Sequence, residues 1–189
     1  TFAFLGMPLP LTAAMILWIN LVTDGGPATA LSMDPPVEDV MARPPRDPKQ
    51  GVLYGRVLQV IVSFISQYLG TTGVFLLVYE FGFFGGGLAK AQTMCFVQAT
   101  LRELIIVWNC RSEKHSAFKL SWTSNKFLLI AELISILSTV AILYVPILQI
   151  MFGTVPLGIA EWALVGAIAT SGLLLMPEYL YEKKVFRWR

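Results

Sequence analysis

Leu17-Trp18-Ile19-Asn20-Leu21-Val22-Thr23-Asp24-Gly25-Gly26-Pro27-Ala28-Thr29-Ala30-Leu31 is the stretch that decides how this chain is read. It begins as an apolar helix, places an amide, a hydroxyl and a carboxylate at Asn20, Thr23 and Asp24, and then meets Gly25-Gly26-Pro27. At about 100° per residue, positions i, i+3 and i+4 share a helix face, so the three oxygen-bearing side chains can converge on one point. Largely apolar sequence continues to Asp34-Pro35-Pro36, which sets Asp24 inside a hydrophobic span. An ionisable residue there is expensive and marks a functional site by default. The Gly-Gly-Pro run predicts a first helix unwound near Asp24 to Pro27, with freed carbonyls able to join the side chains around a cation. Such a site needs oxygen ligands, at least one of them anionic, and this stretch supplies both. The structural alternative is that Asp24 only hydrogen-bonds between helices.

The rest of the chain supports a membrane setting. Of its 189 residues 56% are apolar and 14% charged, against about 25% charged in an average soluble domain. Its mean hydropathy is +0.67. A net charge of +2 without a basic patch interleaved with aromatics gives no sign of a nucleic-acid partner. The apolar start, Thr1 to Leu11, lacks the charged region and cleavage site of a signal peptide, and the chain reads as a piece of a longer protein. There is no phosphate-cradling glycine loop, no Ser-His-Asp set and no soluble stretch large enough to bind a nucleotide, so this segment by itself is expected to hydrolyse nothing. His115 has no His or Cys partner nearby for a transition metal. Cys95 and Cys110 fall about 22 Å apart on one predicted helix, too far to bridge, and read as packing residues.

The expected fold is all-α: a polytopic bundle of five transmembrane helices forming one domain over 1–189. The spans run over about 9–31, 52–79, 88–109, 127–145 and 159–180, each with roughly the 20 residues that cross a hydrocarbon core. Cytoplasmic loops occupy 33–50 and 111–126, and the alternate connections, 81–87 and 146–158, are Gly-rich or apolar. Of the fourteen Lys and Arg, Lys90 lies on the opposite side and Arg102 inside a span, which leaves twelve on one side. The positive-inside rule then places the N-terminus outside and the C-terminus in the cytoplasm. The prolines of the 33–50 loop favour an extended segment, suited to touching another domain or to serving as a plain connector.

Polar groups within the spans are few. Glu103 precedes Arg111 by eight residues and Asp24 precedes Asp34 by ten. Both carboxylates therefore sit on the order of 12–15 Å from the cytoplasmic edge and can meet at one depth. Arg102, beside Glu103, points about 100° away, yet its long side chain is able to reach the carboxylates and supply a fixed positive charge. Glu103 is either a cation ligand or half of a structural ion pair. Glu132, with Ser135, Ser138 and Thr139, reads as a helix-to-helix hydrogen bonder, and Tyr144 and Trp162 read as interface anchors.

At Leu17 to Ala28, and again at Asp34-Pro35-Pro36 with Asp39-Val40-Met41-Ala42-Arg43-Pro44-Pro45-Arg46, the sequence closely resembles the P-type ATPases, most of all the calcium-pump branch with its sarcoplasmic-reticulum-type and bacterial members. The resemblance covers the whole chain as helices six to ten and is most specific in the first 46 residues. It implies the membrane part of an ATP-driven, alternating-access pump. Asn20, Thr23 and Asp24 match the cation ligands of the sixth helix, and Glu103 matches the acidic ligand that some members carry on the eighth. Arg43, Arg46 and Lys49 fall in the segment that contacts the phosphorylation domain. The implied transported ion is Ca²⁺, with Mn²⁺ and Na⁺ as alternatives. Mg²⁺ and ATP enter only through domains outside this chain. The implied partners are the lipid bilayer, transmembrane helices one to five and the cytoplasmic domains of the same pump, in a prokaryotic cell membrane. Two departures stand out: Gly26 replaces a larger apolar residue, and Arg102 brings a charge that favours one divalent ion over two. On the residues alone a stand-alone membrane module, a scaffold or passive cation channel, is the competing reading.

Overall fold

The computed structural model describes residues 2–35, 57–111 and 121–171, apart from the side chains of 58 and 59. Among these residues every regular element is helical. A short 3₁₀ turn at Phe2–Leu5 leads to α1 (Ala13–Trp18), a π-helical turn (Ile19–Asp24) and α2 (Gly25–Leu31). These are followed by α3 (Val57–Tyr79), α4 (Leu88–Asn109), α5 (Lys126–Tyr144), α6 (Pro146–Phe152) and α7 (Ile159–Ala169).

The helix ends follow from local chemistry. Thr12 caps α1 by accepting from the Met15 amide, and Asn125 caps α5 by accepting from the Leu128 amide, each satisfying a donor that the first helical turn leaves open. Between α3 and α4, Gly82, Gly85, Gly86 and Gly87 all take positive φ, which makes the connection tight.

The bundle is organised around α4. Its residues Met94, Cys95, Phe96 and Val97 are fully buried against Val74, Phe75 and Val78 of α3, Ile142 and Leu143 of α5, Val165 of α7, and Met15 and Ile19. A smaller cluster, Ala30, Trp108 and Leu128, joins α2, α4 and α5 near their other ends. Outward, α3 exposes Val60, Ile61, Phe64, Ile65 and Leu69, and α5 exposes Phe127, Ile130, Leu133, Ile134 and Leu137. Among the described residues two helices, over Val60–Tyr79 and Lys126–Tyr144, are long and apolar enough to cross a membrane.

Two expectations are corrected. The first helix is not unwound near Asp24 to Pro27. Gly25 has helical φ −64° and ψ −46°, and Pro27 lies buried within α2. The irregularity is instead the π turn just upstream. Proline lacks an N–H and its ring crowds the carbonyl four residues back, and a turn bonded at i→i+5 supplies room without breaking the rod. The 146–158 connection is also not all loop. Pro146 at the first helical position and Gly153 at φ +70° frame the two-turn α6, the positions those residues favour.

Candidate functional site

The π turn changes how Asn20, Thr23 and Asp24 are displayed. A ring closed over five residues needs more than four residues per turn, roughly 80° for each, so Asn20 and Asp24 nearly superpose while Thr23 swings aside. Thr23 is accordingly fully buried against α4, whereas Asn20 and Asp24 lie on the exposed side of the rod. One shared face, the α-helical expectation, is therefore replaced by two adjoining ones.

Thr23 is where the first rod meets α4. Its hydroxyl lies 2.7 Å from the Ile19 carbonyl and 3.0 Å from Oε2 of Glu103, so one proton is shared between the turn and a carboxylate 80 residues away. Asp24 is close enough to Glu103 for their charges to interact. Two carboxylates and a hydroxyl thus gather at one level, with the amide of Asn20 one turn before Asp24. The neighbouring helix holds this arrangement from behind: Ser135 of α5 donates to the Val22 carbonyl at 3.2 Å, inside the π turn where carbonyls lose their ordinary partners. Hard oxygens, two of them anionic, are donors suited to a cation such as Ca²⁺.

Arg102 does not join this group. The residue is 1% exposed, and it donates from Nη1 to Ser66 (2.8 Å) and Ser171 (2.9 Å) and from Nη2 to the Ser63 carbonyl (3.0 Å). Among the described residues it forms no ion pair. The 100° step between neighbours sends it toward α3 and the end of α7, where serine oxygens accept from both Nη atoms, while its buried Nε has no partner among the described residues. It continues a polar seam in which Thr71 donates to Gln98 at 3.0 Å and Cys95 Sγ to the Thr71 carbonyl at 3.4 Å. An open groove of about 380 Å³ beside it is lined by Val60, Ser63, Phe64, Gln67, Arg102, Glu103 and Ile106.

Glu132 makes the interhelical bond expected of it, accepting from Trp108 Nε1 at 2.6 Å. Neither cysteine is in a disulfide. Arg43, Arg46 and Lys49 lie outside the described residues, as do 36–50 of the first cytoplasmic loop, 52–56 of the second span, 112–120 of the second loop and 172–180 of the fifth span.

A group that the sequence did not flag sits beyond the carboxylates. Arg111 donates from Nε and Nη2 to both oxygens of Asp34 at 2.9 to 3.2 Å, and from Nη1 to the Ser121 carbonyl at 3.1 Å. Its guanidinium carbon lies 5.3 Å from the centre of the Trp108 ring, which stacks on Trp122 at 4.9 Å. Asn125 donates to the Ala30 carbonyl at 2.9 Å and to Asp34 at 3.1 Å. Read linearly, Asp34 and Arg111 are loop charges 77 residues apart, and only the shared end of α2, α4 and α5 brings them together.

Comparison with known proteins agrees with this architecture. Residues 8–180 match the family described as cation transporting ATPase, C-terminus. The calcium-transporting ATPase of Bacillus subtilis (strain 168) is 43% identical over 183 residues, covering 95% of this chain and 20% of that protein. Calcium-transporting ATPase 1 of Bacillus cereus is 35% identical over 95% of the chain and 22% of its own length. The mouse calcium-transporting ATPase type 2C member 2 is 30% identical over 97% of the chain and 19% of its length. The chain spans about one-fifth of the length of these relatives. With its helical rods packed around α4 and a match running over nearly all of its length, the chain belongs to the C-terminal region of the cation-transporting ATPases.

Proposed function

We propose that this chain is the C-terminal membrane part of an ATP-driven calcium pump and supplies half of its cation cage through Asn20, Thr23, Asp24 and Glu103. The observation that carries the reading is the 3.0 Å bond from Thr23 to Glu103 beside Asp24, at a π turn in an apolar rod. Asn20 and Asp24 present their oxygens on the exposed side of that rod, which the remaining helices of the pump would cover and complete. Hard oxygen donors suit Ca²⁺, the ion in the names of the Bacillus relatives.

The five-span topology, with the N-terminus outside and the C-terminus in the cytoplasm, belongs to the same reading. It is supported by the twelve cationic residues on one side and by the apolar outer faces of α3 and α5. Arg43, Arg46 and Lys49 would then lie in the cytoplasm and face the phosphorylation domain, which brings ATP and Mg²⁺. The setting is a cell membrane, and the bacterial relatives favour a prokaryotic one.

The test is Ca²⁺-dependent phosphorylation of the full-length protein in membranes. Asp24→Asn should abolish it, and Glu103→Gln should raise the Ca²⁺ concentration it requires. Ordinary Ca²⁺ dependence in folded Asp24→Asn protein would refute the site.

A further inference from the structure

Two cross-links join the same pair of rods. Thr23 meets Glu103, and Asp34, eleven residues further along the first rod, meets Arg111, eight residues further along α4. A single bond between two helices leaves them free to rotate and slide about it, whereas two bonds at different levels do not. A shift by one residue, about 1.5 Å of rise with about 100° of rotation, would take Thr23 off Glu103.

The second cross-link is built for fixity. Its side chains are 2% exposed at Arg111 and 16% at Asp34. The pairing is two-pronged, so it sets orientation as well as distance. Arg111 is held in turn by the Ser121 carbonyl, the Ser124 hydroxyl and the face of Trp108, and Asp34 by Asn125. A buried ion pair adds little net stability over a well-packed apolar replacement, and its best-attested use is to select one register.

We propose that Arg111 is a positioning residue for the cation site: through Asp34 it fixes the register of α2 against α4 in which Thr23 and Glu103 meet beside Asp24. The inference rests on the cation-site reading above. Arg111 itself touches none of the proposed ligands and acts through Asp34.

The experiment uses the full-length protein in membranes and separates the Ca²⁺ concentration for half-maximal phosphorylation from the maximal level reached per folded protein. Arg111→Lys, which keeps the charge and loses the fork, and Asp34→Asn should each raise the half-maximal concentration by roughly tenfold, the scale of coupling between residues in contact. The maximal level should hold. The double variant should be no worse than the poorer single one, because both substitutions break the same link. An unchanged half-maximal concentration in folded Arg111→Lys and Asp34→Asn proteins, or effects of the two that add, would overturn the proposal. A fall in the amount of folded protein with Ca²⁺ dependence intact would also overturn it, since that marks a purely structural pair. Thr23→Val and Asp24→Asn, run in parallel, tell the two failures apart. If those change the Ca²⁺ dependence and the clamp variants do not, the clamp is wrong. If none does, the cation-site reading has failed.

Discussion

Replacing Asn125 with alanine should loosen the shared end of α2, α4 and α5 by an amount the structure allows one to work out. The side chain is 2% exposed and makes three bonds: it accepts from the Leu128 amide at 2.9 Å, and donates to the Ala30 carbonyl at 2.9 Å and to Asp34 at 3.1 Å. Loss of the cap costs about 1 kcal/mol. Each donated bond is worth about another 1 kcal/mol, and the one to a carboxylate somewhat more. The total is about 3 kcal/mol, or roughly a 150-fold rise in local opening at 1.4 kcal/mol per factor of ten. Hydrogen exchange of the Leu128 amide in the full-length protein reads this opening directly. Asn125→Asp provides the control, because aspartate caps as well as asparagine but cannot donate and puts a second carboxylate against Asp34. It should leave Leu128 protected while exposing the end of α2. If alanine changes Leu128 exchange less than about threefold, or if the two variants affect Leu128 equally, the assignment of the cap and the bond-by-bond reasoning fail.

Thr23→Val keeps the shape and removes the hydroxyl, so the full-length protein should need roughly five- to tenfold more Ca²⁺ for phosphorylation, with Thr23→Ser close to the parent. Gly70→Leu should destabilise the α3–α4 contact: even a Cβ there would come 3.1 Å from Gln98 Nε2 and 3.2 Å from Ile168 Cγ2. Overpacking of that kind costs about 1–3 kcal/mol, measurable as a lower detergent-solution melting temperature. Trp108→Phe deprives Glu132 of its 2.6 Å donor, and Glu132 Oε1 already has no partner among the described residues. The variant should lose about 1–3 kcal/mol, and adding Glu132→Leu should recover part of it; an equal or greater loss in the double variant would speak against that account.

What could be read from sequence, and what could not, divides along the range of the interactions. The helices of α3 and α5 were legible because long apolar runs end at polar or proline-bearing connections. That Asp24 and Glu103 can lie at one depth was legible from their similar helical distances to charged edges, whereas the bond from Thr23 to Glu103 was not. The π turn was not. Gly25-Gly26-Pro27 signals that regular helix is under strain, but whether the rod breaks or widens depends on the buried Thr23 side, which α4 holds. The direction of Arg102 was equally hidden. A long side chain beside a glutamate suggests a pair, and only the serines of α3 and the end of α7 show why it turns away. The link between Asp34 and Arg111 lies beyond any local pattern, because it depends on three helix ends arriving at one place.

The central position of α4 has a consequence for how such a protein is made. This helix carries Gln92, Gln98, Arg102 and Glu103 and is not among the helices apolar enough to cross a membrane by composition. Each charged residue at a helix centre opposes insertion by about 2.5–3.5 kcal/mol. Under the five-span topology, α4 would therefore enter the bilayer poorly as an isolated segment during synthesis. Its polar seam with α3, from Thr71 and Gln98 down to Ser63 and Arg102, offers Gln98 and Arg102 their partners at once. The two helices are then best threaded into lipid as a hairpin, and serine-to-valine changes on α3 would show first as failed insertion of its neighbour.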